Sequence, residues 1–305
     1  MNLQRTIKKA LSIQGIGLHS GKEVALTLKP ASPNAGIRFV RTDLEGSPEI
    51  PAFYKNVVNT QMATTLGVGR VTISTVEHLM AALQGLGIDN LIVEVNAPEI
   101  PILDGSSAGF VERLMAVGVQ TQARPRSILK LRRRVEVKIA EKWAVAEPSS
   151  RLEVHASVEF SHPAVGFQEF HYVEGRTDFS QIASARTFGF LREVEALKRM
   201  GLALGGSLDN AVVLDDEKVL NPKGLRYPNE FVRHKVLDAL GDFKLAGIAI
   251  QAHIKLHRAG HDLHRQLLDS IFKNPDHFEI IDGSEESRSG VALAGFGRAG
   301  KLAVG

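Results

Sequence analysis

The stretch Phe231-Val-Arg-His234-Lys235-Val-Leu-Asp238-Ala-Leu-Gly-Asp242 places an imidazole and two carboxylates at successive intervals of four residues. At about 100° per residue this spacing sets His234, Asp238 and Asp242 in one row of a helix. Val232, Val236, Ala239, Leu240 and Phe243 form the apolar stripe on the other side, so the polar row meets either water or a site. His78 gives a matching signal, projecting away from the helical stripe of Val76, Leu79, Met80 and Leu83. Together His78, His234 and Asp238 supply two imidazoles and a carboxylate, the donors of a catalytic zinc site that keeps one position open for water. No common zinc fingerprint such as H-E-x-x-H is present, so these residues can meet only at an interface between distant parts of the chain. Glu77 has two readings. It closes Ser74-Thr-Val-Glu77 as a capping box, or, next to a metal ligand, it is a general base within about 3 Å of the proton it removes.

A third cluster, His253-x3-His257-x3-His261-Asp262-x-His264, follows a strand. His261, after Gly260 in a turn, is best placed to reach a cleft, where its protonated ring can act as a general acid. The others, with His155, His162 and His171, read as strand-edge or structural histidines. Ala185-Arg-Thr187-Phe188-Gly-Phe190 sets a hydroxyl between aromatic rings, which serves either a site or a core.

The elements that must position these groups are legible in part. Val24 to Lys29 and Asn90 to Val95 read as strands, and helices are expected from Ser74 to Gly85 and from Ser107 to Val117. Further strands are expected at Val135–Ile139, Ala144–Glu147, Leu152–Phe160 and Gln168–Tyr172, then a helix near Phe179–Ala185. An amphipathic helix over Leu191–Leu204, ending in Gly205-Gly206, reads as an insertion before the long helix Asn229–Lys244, and Ala249–Leu256 reads as the final strand. Strands first and helices afterwards, twice over, predict an α+β fold of two similar two-layer halves, residues 1–124 and 125–273, with the active site between them. Residues 274–305 are expected to be a weakly ordered tail.

With 305 residues and 44% hydrophobic content the chain can bury a large core. It has no cysteine, which excludes disulfides and thiolate chemistry and leaves any metal to His, Asp or Glu. No apolar run reaches the roughly 20 residues of a membrane span and no signal peptide is apparent, so cytoplasmic residence without membrane insertion is expected. The net charge of +3 favours a small anionic partner over nucleic acid. The one dense basic patch, Arg124 to Arg134, lacks interleaved aromatics.

Five motifs, in this order, resemble the UDP-3-O-acyl-N-acetylglucosamine deacetylase family, the zinc enzymes of the cytoplasmic lipid A pathway of Gram-negative bacteria. They are Gly15-Ile-Gly-Leu18-His19-Ser-Gly21, Ser74-Thr-Val-Glu77-His78-Leu-Met-Ala-Ala-Leu83, Pro101-Ile-Leu-Asp104-Gly-Ser106, Ala185-Arg-Thr187-Phe188-Gly-Phe190 and Glu230 to Asp242. The resemblance spans about Arg5 to Phe272. It implies His78, His234 and Asp238 as zinc ligands, with Fe2+ as an alternative ion, and Glu77 as the general base. It implies His261 as the acid that protonates the leaving amine, Asp242 as its carboxylate partner, and Thr187 as the hydroxyl that meets the oxyanion. Lys235, Phe188 and Phe190 match substrate contacts, Leu18, His19 and Met62 match positions near the acyl and sugar groups, and Phe160 and Lys142 match nucleotide contacts. The Leu191–Leu204 insertion matches a passage for a fatty acyl chain. His264 departs from the pattern, which has Asn there, and residues 274–305 match no motif.

The implied reaction is hydrolysis of the N-acetyl group of a UDP-3-O-(3-hydroxyacyl)-N-acetylglucosamine, the committed step of lipid A biosynthesis. A zinc amidohydrolase of the same fold acting on another acylated amino sugar is the alternative. The apolar end Lys301-Leu-Ala-Val-Gly305 is also expected to act as a degradation signal for a regulatory protease.

Overall fold

The structure is a computed structural model, and it describes residues 2–282. Short alternating segments give β1 (Leu3–Ile7), β2 (Leu11–Ile16), β3 (Glu23–Pro30), β4 (Ile37–Arg41), β5 (Glu49–Pro51), β6 (Val57–Asn59), β7 (Thr65–Val68) and β8 (Val71–Ile73). Then come α1 (Glu77–Gly85), β9 (Leu91–Val95), α2 (Ala108–Val117) and β10 (Val119–Pro125). The chain continues through β11 (Ser127–Leu131), β12 (Val135–Ile139), β13 (Lys142–Pro148), β14 (Leu152–Glu159), β15 (Phe167–Val173), α3 (Ser180–Ala183) and β16 (Phe188–Phe190). It closes with α4 (Leu191–Arg199), β17 (Val212–Leu214), α5 (Glu230–Lys244), β18 (Ala249–His257), α6 (His261–Lys273) and β19 (Phe278–Asp282). This is an α+β fold.

Two larger sheets carry the helices. One runs β2-β3-β9-β4-β5, and the other runs β12-β13-β18-β11-β19 with β14 beside β18 and β15 beside β14. β10 pairs back to β1 and β11 enters the larger sheet, so the chain changes sheets beside the expected seam at Arg124. A continuous apolar core reaches from Leu26, Phe39 and Val93 in the first sheet through Leu79 and Val236 to Val154, Ile254 and Leu267.

The centre of this core is the packing of α1 on α5. Gly241 makes the approach possible, because a Cβ there would sit 2.1 Å from the Glu77 carbonyl oxygen. The helix backbones therefore meet directly. α5 also covers β14 and β15, and α6 packs beside α5 over β12 and β13. Among the described residues no helix is long and apolar enough to cross a membrane.

Four expectations need correction. The capping box does not form: α1 begins at Glu77 without a side-chain cap, and Ser74 Oγ instead accepts a hydrogen bond from Thr65 Oγ1 at 3.0 Å. The amphipathic helix stops at Arg199, and Gly205 packs where a Cβ would lie 2.3 Å from the Gly17 carbonyl oxygen. β18 is not the final strand. After α6, residues Phe278–Asp282 add β19 antiparallel to β11, because β11 otherwise leaves an unpaired edge on the side away from β18. Residues 278–282 of the expected weak tail are thus an ordered strand, whereas Lys301–Gly305 lie outside the described residues.

Candidate metal centre

α5 delivers His234 and Asp238 one turn apart, and α1 delivers His78 from the facing helix. All three are buried, at 4% exposure or less. The apolar stripe of α5 and its polar row are therefore both inside the molecule, one against the sheet and the other against α1.

His234 Nε2 lies 3.2 Å from Asp238 Oδ1, and His78 Nε2 lies 3.6 Å from the same oxygen. With metal–ligand bonds of about 2.0–2.2 Å, the edge of a tetrahedron is roughly 3.3–3.6 Å, so these spacings suit three ligands of one ion. The His234 tautomer fits as well: Nδ1–H donates to the Ala185 carbonyl oxygen at 3.0 Å, which leaves Nε2 with its lone pair toward Asp238. Burial drives the His234 pKa down to about 3 despite the Asp238 charge, so the ring is neutral. Burial opposes ionisation of Asp238, but the neighbouring His234, Lys235 and His78 side chains outweigh it and hold this carboxyl well below its usual range.

Glu77, the residue before His78, is buried, and its Oε2 accepts from Thr64 N at 3.1 Å. Burial pushes its carboxyl up, opposed by His261 and His78. Farther along α5, Asp242 accepts three hydrogen bonds. Thr64 Oγ1 donates to Oδ1 at 2.6 Å, and His261 Nδ1 and His264 Nδ1 each donate to Oδ2 at 2.7 Å. Burial would raise both Asp242 and lower His261, yet their pairing wins: Asp242 is held at about 2 and His261 is raised to about 9. The site thus sets a desolvated carboxylate and an imidazolium beside a cluster of three buried donor side chains.

A family model described as UDP-3-O-acyl N-acetylglycosamine deacetylase matches residues 4–273. The chain belongs to this family. A Myxococcus xanthus relative named UDP-3-O-acyl-N-acetylglucosamine deacetylase is 48% identical over 300 residues, 98% of this chain and 96% of that protein. Relatives with the same name from Acidithiobacillus ferrooxidans and Syntrophotalea carbinolica are 47% and 45% identical, covering 92% and 95% of this chain and 94% of each of those proteins.

The remaining family motifs gather unevenly around the centre. Thr187 follows the segment that accepts from His234; its own N–H donates to the Gly105 carbonyl oxygen at 2.8 Å, which ties the Asp104-Gly-Ser loop to it. Phe188 stands edge-on to His234 and Phe231, and Phe160 touches both Phe188 and Phe190. Lys235 Nζ lies 2.9 Å from Asp238 Oδ2 and 5.5 Å from the Phe188 ring centre, so it borders the metal ligands directly. Leu18 and His19 clasp the segment after α4, their carbonyl oxygens accepting from Gly205 and Leu204. Met62 is exposed in the left-handed conformation, two residues before Thr64. Lys142 is exposed where β12 turns into β13 and shares no bond or ring contact with this group.

Sequence reasoning missed Thr64, which bridges Glu77 and Asp242. No local pattern marks it, because both partners come from other elements. It also missed Glu230, fully buried and accepting from the N–H, Nε and Nη2 of Arg186, whose sequence position beside Thr187 was the available signal.

Proposed function

We propose that this chain hydrolyses the N-acetyl amide of a UDP-3-O-(3-hydroxyacyl)-N-acetylglucosamine, giving the free amine and acetate in the committed step of lipid A biosynthesis. The observation that carries this reading is the buried meeting of His78, His234 and Asp238 beside Glu77 and the Asp242–His261 pair, in a member of this deacetylase family.

His78, His234 and Asp238 would hold one Zn2+, and their nitrogen and oxygen donors also suit Fe2+. Such an ion would supply Lewis acidity, to polarise the amide carbonyl and to acidify the attacking water. Glu77 takes the proton of the attacking water; burial raises its basicity, and the Thr64 N–H fixes its orientation. Thr187 donates its hydroxyl to the developing oxyanion. His261, kept protonated by Asp242, passes its Nε2 proton to the departing nitrogen, while His264 and Thr64 hold Asp242 in place.

In this reading Lys235 serves the diphosphate, Phe188 and Phe190 contact the substrate, Phe160 serves the nucleotide, and Leu18, His19 and Met62 flank the sugar and acyl groups. Leu191, Met200 and Leu204 are exposed, leaving an apolar surface for the acyl chain.

The test is metal analysis of the purified protein together with acetate release from the UDP-linked sugar with and without its 3-O-acyl chain. At least one equivalent of zinc or iron, loss of activity on chelation and recovery on zinc addition are expected. Glu77→Ala should lower kcat by about 10²-fold or more with the metal retained. Near-native kcat in that variant, or equal turnover of the sugar lacking its acyl chain, would sink the assignment.

A further inference from the structure

A second group of metal-ligating side chains lies on the face of the larger sheet turned away from α5. Val154 and Ala156 of β14 and Ile254 and Leu256 of β18 point into the core, so Glu153, His155, His253 and Lys255 point to the other side. Glu153 stands opposite His253 in the parallel β14–β18 pair, and His171 of β15 stands opposite His155, two residues along β14 from Glu153. This register brings one ligand atom each of Glu153, His171 and His253 within 4.8 Å of one another.

Glu153 Oε2 lies 3.2 Å from His171 Nε2, and the rings of His171 and His253 stack with centres 5.2 Å apart. An ordinary surface ion pair accounts for Glu153 and His171. It does not account for His253 Nε2, which is buried with no hydrogen-bond partner among the described residues. Ser149 Oγ donates to the other oxygen of Glu153 at 2.7 Å, steadying the carboxylate from behind as an outer partner does for a metal ligand.

We propose that Glu153, His171 and His253 form a second divalent-ion site that clips the edge strand β15 to β18 across β14. Two imidazoles and one carboxylate select zinc, nickel or copper over magnesium or calcium. Burial keeps the His253 ring deprotonated against the pull of Glu153, as a ligand must be. The sheet separates this site from α5, so it stands apart from the catalytic reading.

The experiment is a Zn2+ titration against a chromophoric chelator, comparing the native protein with His171→Ala, Glu153→Gln and His264→Gln. His171 is 42% exposed, so its truncation leaves the fold intact. The native protein should bind one equivalent more than His171→Ala, or bind that equivalent at least about tenfold more tightly, with Glu153→Gln weakened likewise and His264→Gln unchanged. The second equivalent should also raise Tm further in the native protein, whereas in His171→Ala zinc beyond the first equivalent should leave Tm unchanged. Equal stoichiometry and affinity in native, His171→Ala and Glu153→Gln proteins would overturn the proposal, as would a second equivalent lost only in His264→Gln.

Discussion

Asp242 shows how one residue can be split between two tasks. One oxygen serves Thr64, which also binds Glu77, and the other serves two histidines of α6, so Glu77 and the His261 ring are fixed through a shared carboxylate. His261 is raised from 6.5 to about 9, so its contribution to stability is complete below about pH 6.5 and is lost as pH rises through about 9. Asp242 is lowered from 3.8 to about 2, so its contribution is present above about pH 4 and is lost as pH falls through about 2. In metal-free protein, the stability excess of the native chain over His261→Gln should therefore shrink from pH 6.5 to pH 10. Urea unfolding across that range checks this, and a difference that grows with pH would refute it. Glu230 is a different kind of residue: its pair with Arg186 is buried and anchors the segment leading to Thr187. Glu230→Ala leaves the guanidinium unpaired, so a loss of about 3–5 kcal/mol in urea unfolding is expected.

At the scale of elements, the site depends on how closely α1 can approach α5. Gly241 has Glu77 backbone atoms where a side chain would be, which places His78 opposite His234 and Asp238. Gly241→Ala should cost about 1–3 kcal/mol through overpacking. It should also weaken zinc binding by at least about tenfold, because the ligand edges between helices lengthen while the His234–Asp238 edge within α5 does not. Unchanged metal affinity in a destabilised Gly241→Ala protein would show that the helix spacing is not what sets the site. α4 illustrates the opposite case: it buries no residue, and the turn after it is held by carbonyl oxygens of Leu18 and His19. Leu191→Ser with Leu204→Ser should raise KM for substrates with long acyl chains and leave short-chain substrates and Tm nearly unchanged. A parallel rise in KM for both chain lengths would argue against acyl contact there.

For the whole molecule, the proposed ion joins residues more than 150 positions apart, so its binding free energy adds to the stability of the fold. At a thousandfold excess of free zinc over Kd the gain is about 4 kcal/mol, and chelation should lower Tm accordingly. A Tm indifferent to chelation would separate the metal from the fold. Much of this arrangement was legible in the chain. The i,i+4 spacing of His234, Asp238 and Asp242, the apolar stripe beside them and the strands β12 to β15 follow from local periodicity, and motif order points to the family. α6 was also within reach, since Leu263, Leu267, Leu268 and Ile271 recur at helical spacing and are buried, whereas the expectation there extended only to a turn at Gly260 and His261. β19 and Thr64 were not within reach, because a short edge strand and a single hydroxyl acquire meaning only from partners elsewhere. The sequence by itself determined which side chains share a helix face, since that depends on backbone geometry alone. Whether that face met water or another helix was decided only by the tertiary structure, through the contact at Gly241 that buries His78 against α5.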